Sequence, residues 1–535
     1  MFGRANRSVG GAALVIALFG IVSRLLGFLR DRVLAGTFGA GDVLDAYYAA
    51  FRIPDLLYGL LVAGALSAAF VPVFTELHEK KGEQEAWQLT SGILSLIVLF
   101  LGVFGAIAFV FARPLVEVLV PGFFQEKQSL AVLLTRVMLF GPIFLGMSAV
   151  FGGVLVSFRN FIVFSLAPIL YNVGIIIGAV FFVPIVGPVG LAWGVVLGTA
   201  LHAGIQYPSI RRLGVRFSLG MAFVRDATVW KVVRLMVPRS LGMAVNQIGF
   251  LVAAAFASVF ASGTLAALTL ATNIESVPFG LFGIAFSLAA FPTLSQLSAK
   301  GDRSAFFETI LRTSRQILFF VLPASVLLVV LRAQVVRVIL GTGAFDWDDT
   351  RLTLEMLGIL SASLFAQSLV PLFARAFYAI QDTKTPLLLA LISEVVHIAL
   401  LVVLRDSYGP LALALSFTLA SILNAILLLV FLRARIPEWN DRLWVFPVFK
   451  MSIASLAALA AAQAGKLLFG IGDIRIDTFF EVLFQLLLSG VLGVGTFLAV
   501  AWLLGIEELE RVRSFCMARI FRRPEVIKES EEELV

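Results

Sequence analysis

The run Ser23-Arg24-Leu25-Leu26-Gly27-Phe28-Leu29-Arg30-Asp31 sets two guanidinium groups and a carboxylate into an otherwise apolar stretch. A helix brings Arg24 and Asp31, seven residues apart, to one face with Phe28 between them, and turns Arg30 to another. Further on, Asp45, Tyr48, Arg52 and Asp55 recur at spacings of three and four, which makes one polar stripe. Pro54 breaks the helix beside that stripe and frees a backbone carbonyl. Charges held in hydrocarbon are costly, so those that stay there are candidates for function. Guanidinium forks match the oxygens of a diphosphate bidentately, and two such helices side by side point to an anion-binding cavity. A plainer reading stays open. Arg24 with Asp31, and Asp45 with Arg52, would neutralise each other, or Arg30 and Asp31 would snorkel from the end of a span.

A second set of polar residues lies in the later half. Asn273 and Glu275 precede Pro278, and Glu394 stands one helical turn before His397. A carboxylate beside an imidazole in hydrocarbon is a possible proton or ion relay, and equally a satisfied interhelical hydrogen bond. No phosphate loop, HExxH or serine elbow is present, and there is no soluble domain large enough to burn ATP, so the chain reads as a secondary transporter and not an enzyme. The single cysteine, Cys516, rules out an internal disulfide and a thiolate cage. The three histidines, His78, His202 and His397, are scattered, so neither metal nor cofactor is expected.

These residues need elements to hold them, and the composition says what the elements are. Of 535 residues, 60% are hydrophobic and 14% charged, far from the soluble pattern. Hydropathy places spans near 9–35, 43–75, 89–112, 129–157, 161–183, 187–210, 231–261, 264–297, 305–331, 351–380, 386–404, 410–432, 445–469 and 478–505. The fold class is therefore an all-α integral membrane protein of about fourteen helices. The N-terminus, with Arg4 and Arg7 ahead of Val9–Val22, mimics a signal peptide, but the pattern runs on without a cleavage site and reads as a retained span.

Alternating the loops puts Lys80, Lys81, Arg211, Arg212, Arg216, Arg225, Lys300, Arg303, Arg433, Arg435 and Arg442 on one side. Arg519, Arg522 and Arg523 of the tail join them, whereas Asp346, Asp348 and Asp349 fall opposite. Positive-inside logic then places both termini in the cytoplasm. The net charge of +7 is read as this orientation signal, with no nucleic-acid partner.

The chain also repeats itself at an offset of about 220 residues: Ala65-Leu-Ser-Ala-Ala-Phe-Val-Pro72 returns as Ala285-Phe-Ser-Leu-Ala-Ala-Phe-Pro292. Gly187-Pro188 is echoed by Gly409-Pro410. An offset of six spans, an even number, keeps corresponding helices parallel, so the expected plan is two six-helix lobes. The boundaries are 1–212 and 226–434, followed by two extra helices at 443–506 and a cytoplasmic tail at 507–535.

On these residues the chain resembles the MurJ (MviN) family within the multidrug/oligosaccharidyl-lipid/polysaccharide exporter superfamily. Ser23-Arg24, Leu26-Gly27, Arg30-Asp31, Phe38-Gly39-Ala40, Asp45-Ala46 and Ala69-Phe-Val-Pro72 match its first two helices. Gln247-Ile248, Phe256-Ala-Ser258, Ala261-Ser-Gly263, Pro278, Gly280 and Gly283 resemble the seventh and eighth, and Asp382-Thr-Lys-Thr-Pro386 the turn into the eleventh. The resemblance implies a cavity between two lobes that opens alternately to each side of a bacterial inner membrane. It implies lipid II, an undecaprenyl-diphosphate-linked muropeptide, as cargo moved outward, with membrane lipids and a coupling ion as further partners, and a monomer. It carries substrate contacts onto Arg24, Arg30 and Asp45, and a lipid-tail groove onto the last two helices. The residue reading adds Asp31, Arg52, Asn273 and Glu275 as substrate contacts, with Glu394 and His397 for coupling. Tyr58, Gly59, Ala63 and Asn273 depart from charged residues usual in the family, so fewer cationic groups are expected in the cavity, with Arg52 compensating. Competing cargoes are another lipid-linked oligosaccharide, or a drug exported against a cation.

Overall fold

The computed structural model describes residues 9–61, 65–214, 220, 226–436, 439–471 and 478–521. Arg4, Arg7, Ala63, Arg216, Arg225, Arg522 and Arg523 lie outside the described residues, as do the side chains of Cys516 and Arg519. Every regular element among the described residues is a helix. Ten of them are long and apolar enough to cross a membrane, and Trp347–Ala362 with Leu364–Ala379 makes an eleventh if that pair is one span. The three other expected spans are also helical where described, at Val9–Phe38, at Asp42–Leu61 and Ala65–Lys81, and at Ala227–Val259. These three carry the charges: Arg24, Arg30, Asp31 and Arg32, then Asp45, Arg52 and Asp55, then Lys231 and Arg234.

Large apolar side chains stand outward over much of the surface. Ile185 is 79% exposed and Val403 71%, with Leu487, Val491 and Trp502 similarly open. So much exposed hydrocarbon suits a bilayer and not water. The helices also satisfy their own backbone groups, the condition for crossing a bilayer.

By compactness the chain forms two units. The first comprises Met1–Val277, Val335–Leu360 and Lys384–Asn424, and the second Pro278–Gln334, Ser361–Thr383 and Ala425–Val535. In the first unit, helix Phe161–Ile177 and the π-helical turn Gly178–Phe182 that continues it pack on helix Val189–Gly204 along a glycine seam. A Cβ on Gly174 would strike the backbone of Gly198, and one on Gly178 the backbone of Gly194. Glycines four residues apart on both helices let the two backbones touch, the small-residue packing that holds helices together where lipid removes the hydrophobic drive. Gly198 presses in turn on the carbonyl of Tyr171, so the seam fixes the position of Tyr171 and Asn172. Elsewhere in this unit Phe70, Phe74, Phe151, Ile93 and Val154 fill a close-packed aromatic and aliphatic core.

In the second unit, Asp441–Ile471 and Phe479–Leu503 lie antiparallel, with Gly465 against Ser489 and Gly493 against Ala462. Thr478 and Glu481 form a reciprocal capping box at the start of the latter helix. Buried Gln334 and Gln485 bond at 2.9 Å, and Lys466 donates to the Val330 carbonyl at 2.9 Å. The amides of Gln334 and Gln485 and the Lys466 ammonium thus meet partners where lipid would offer none.

Two glycine substitutions separate close backbone packing from mere space. Gly178→Leu is expected to lower the unfolding temperature in detergent by several degrees, an overpacking cost of about 2 kcal/mol or more. Gly59→Ala meets only the flexible end of Gln247, 2.7 Å from the new Cβ, and is expected to leave that temperature within a degree or two. A Gly178→Leu protein as stable as the parent would show that the seam does not hold this pair.

Candidate functional site

The first unit holds a cavity of about 410 Å³. Helix Asp42–Leu61 supplies one wall through Tyr48, Phe51, Arg52, Asp55, Tyr58 and Gly59. The stripe read from the spacing faces this space, except at its first member. Tyr171 enters from helix Phe161–Ile177, Gln247 and Phe250 from Ala227–Val259, and Thr269, Thr272 and Asn273 from Thr264–Pro278. Arg30 closes it from the first helix.

Arg30 is held on several sides. Its Nη2 and Nε donate to Asp31 Oδ1 at 2.8 and 3.0 Å, and its Nη1 to Asn172 Oδ1 at 3.1 Å. The other Asp31 oxygen accepts from Asn273 Nδ2 at 3.0 Å. Asn172 donates onward to the carbonyls of Ser23 at 3.3 Å and Pro168 at 3.1 Å. The neighbours in sequence, Arg30 and Asp31, are therefore the ion pair, and three helices lock it. Such a network fixes the guanidinium in one pose and cancels its formal charge.

Arg52 is different. Its Nε is buried with no hydrogen-bond partner, and the guanidinium lies over the Phe250 ring, 5.5 Å from the centroid. The ring face offers modest attraction to a cation, but no carboxylate in the described residues pairs with it. The Tyr48 hydroxyl is likewise buried and unbonded.

The structure brings some predicted residues together and sends others elsewhere. Arg30, Arg52 and Asn273 line the cavity, and Asp31 stands directly behind two of them. Arg24 is not part of the lining, nor does it pair with Asp31; its Nη1 donates to the Ser276 carbonyl at 3.3 Å. Glu275 is buried at the same level of the eighth expected span without lining the cavity. Glu394 and His397 do meet, at 3.2 Å, with Glu394 packed against Gly249, but outside the cavity lining.

Asp45 turns away and does not pair with Arg52. It is buried, takes Lys127 Nζ at 2.6 Å, and accepts the backbone N–H groups of Gly263 and Ala266 at 2.8 Å each. It therefore caps the N-terminus of helix Thr264–Pro278, where exposed N–H groups and the helix dipole favour a carboxylate. Lys127 also binds Asp42 at 2.8 Å, and Asp42 accepts from Ser262 Oγ at 2.6 Å. Gly263, with φ of +85°, lies so close to the Ala40 carbonyl that no Cβ would fit. Near this point the turn after the first helix is held again: Asp349 accepts from the Ala40 N–H at 2.7 Å, and Ala344 donates to the Gly36 carbonyl at 2.8 Å.

Sequence reading missed Lys127, Tyr171, Asn172, Gln247, Phe250, Thr269 and Thr272. A search for charges within spans passes over neutral amides and hydroxyls, and Lys127 sits just ahead of an expected span, where a lysine draws no notice. Asn172, the single amide side chain in the run from 161 to 186, was the one findable signal.

The family model described as lipid II flippase MurJ matches residues 34–485. The chain belongs to the MurJ family. The resemblance to the MurJ family read from the sequence is thereby confirmed. A probable lipid II flippase MurJ of Bdellovibrio bacteriovorus is 30% identical over 525 residues, covering 95% of this chain and 97% of that protein. One from Rhizobium tropici is 32% identical over 450 residues, covering 81% of this chain and 82% of its own. Among solved structures, the lipid II flippase MurJ in an inward closed conformation aligns with 95% of this chain and 100% of its own, at TM-score 0.74 and 24% identity. An inward-facing MATE-family multidrug resistance transporter of the MOP superfamily aligns with 79% of this chain and 98% of its own, at TM-score 0.66 and 15% identity. These two structures show that the MurJ fold and the broader superfamily fold are shared here. The chain is thus a multi-pass membrane protein of a transporter family.

Removing Lys127 leaves Asp45 buried without its cation. Lys127→Met is expected to cost about 3 kcal/mol, at the lower end for a broken buried pair because two backbone N–H groups still hold the carboxylate. Thermal unfolding in detergent checks this, and Asp45→Asn with Lys127→Met together should recover part of the loss. No change in either protein would mean that Asp45 does not depend on Lys127.

Proposed function

We propose that this chain flips lipid II from the inner to the outer leaflet of a bacterial inner membrane by alternating access, for cell wall synthesis. The observation that carries the proposal is Arg52: a guanidinium without an ion-pair partner, in a cavity of a MurJ-family chain. Leaving such a group unpaired is costly unless a ligand completes it. A diphosphate does so, through paired N–H donors from one fork. Arg30, already neutralised by Asp31, presents an oriented but weaker donor surface. The relatives named as lipid II flippases support the same cargo.

In this reading the protein performs no bond chemistry. The headgroup enters the cavity while the polyprenyl chain stays in lipid, and binding of the diphosphate is paired with a change of the side to which the cavity opens. The basic loops support cytoplasmic termini, with the cavity loaded from the cytoplasmic leaflet.

The test is transport of fluorescent lipid II in vesicles containing the purified chain, paired with rescue of a bacterium depleted of its own flippase. Arg52→Ala is expected to slow transport at least tenfold, on the order of one lost charge-assisted bond pair, while Arg52→Lys keeps part of the rate. Arg24→Ala is expected to fail in rescue although the protein reaches the membrane. Vesicles in which the parent chain leaves lipid II in place, or cells that lose a surface polysaccharide while murein is unaltered, would overturn the cargo assignment.

A further inference from the structure

Among the described residues Asp55 is the carboxylate that lines the cavity, and it takes no part in the network around Arg30. It follows Arg52 by three residues on the same helix, a spacing at which opposite charges readily pair. They do not pair here: no Arg52 nitrogen lies within 4.0 Å of an Asp55 oxygen, and no hydrogen bond reaches the Asp55 carboxylate. Asp55 is exposed, and the space it is exposed to is the cavity. Arg52 is meanwhile drawn over Phe250. The wall therefore displays a free cation and a free anion one turn apart, between Tyr48, Phe51, Tyr58 and Phe250.

A ligand carrying only negative charge would be attracted by Arg52 and repelled by Asp55. Were anion capture the whole task, a carboxylate at this point of the wall would oppose it, in a medium that strengthens both effects. A ligand with an ammonium group near its anionic group satisfies both. We propose that Asp55 reads a primary ammonium group on the cargo's headgroup, and that, one turn from the Arg52 that takes the diphosphate, it selects an amine-bearing headgroup over a purely anionic one. This rests on the flippase reading and adds the chemistry of the headgroup's peptide to that of its phosphates. Phe51, Tyr58 and Phe250 line the wall around the pair, and Gly59 leaves room for Gln247 beside it.

The experiment uses the full chain in vesicles and two cargoes: fluorescent lipid II with a free side-chain amine on its peptide, and the same lipid with that amine acetylated. The parent chain is expected to move the free-amine lipid at least tenfold more efficiently. Asp55→Asn is expected to move both at about the rate of the acetylated lipid, and Asp55→Glu to restore part of the preference, each compared at equal amounts of monodisperse protein. Equal rates for the two lipids with the parent chain would overturn the proposal, as would a preference that survives Asp55→Asn. If Asp55→Asn instead abolishes dependence on a sodium or proton gradient for both lipids alike, the carboxylate holds a coupling cation and the proposal is overturned. A parent chain that moves neither lipid sinks the flippase reading and this inference with it.

Discussion

An ion in hydrocarbon must find a partner or be a site, because neither lipid nor packed side chains can replace its water. That constraint arranges the first unit. Asp31 is met by Arg30 and Asn273, Asp45 by Lys127 and two backbone N–H groups, and Glu394 by His397. Arg24 and Arg32 satisfy the carbonyls of Ser276 and Val338. Among the described residues that line the cavity, Arg52 and Asp55 are left with opposite charges facing one space. The cavity is defined as much by the pairing that surrounds it as by the volume it encloses.

The pairs differ in what they can do. The Arg30 network draws on the first helix, on Phe161–Ile177 and on Thr264–Pro278, so it fixes three elements against each other as well as orienting a donor. The Asp45 cluster uses the same logic at the start of Thr264–Pro278, with a carboxylate serving as helix cap and as lysine partner at once. Thr264–Pro278 is therefore tied at its N-terminus by Asp45 and farther along by Asp31, and the cavity residues Thr269, Thr272 and Asn273 lie between or at those ties.

Much of this was legible in the sequence. Apolar blocks gave the helices, and the spacing of Tyr48, Arg52 and Asp55 gave a face that the structure turns into the cavity. The resemblance to the MurJ family came from short ordered motifs. Partner choice was not legible. Helical geometry matched Arg24 with Asp31 and Asp45 with Arg52, since periodicity compares residues on one helix or its neighbour. The structure chose partners from elsewhere in the chain, such as Lys127 and Asn172, and for Asp31 the residue next to it, whose long side chain bends back. Tertiary contacts decide which of several nearby charges is cancelled, and no one-dimensional pattern contains them.

The glycine seam has a mechanical consequence for the cavity. Where Gly174 and Gly178 rest on Gly198 and Gly194, backbone meets backbone and no side chain remains to yield. Tyr171 and Asn172 sit at the margin of that contact, so their wall is stiff. The facing wall is helix Asp42–Leu61, which runs unbroken through Pro54 where a break was expected, but lacks one stabilising hydrogen bond there and bends more easily. A headgroup held between them would be gauged against a fixed surface by a compliant one, so tolerance for cargo size is set on the side of Arg52 and Asp55.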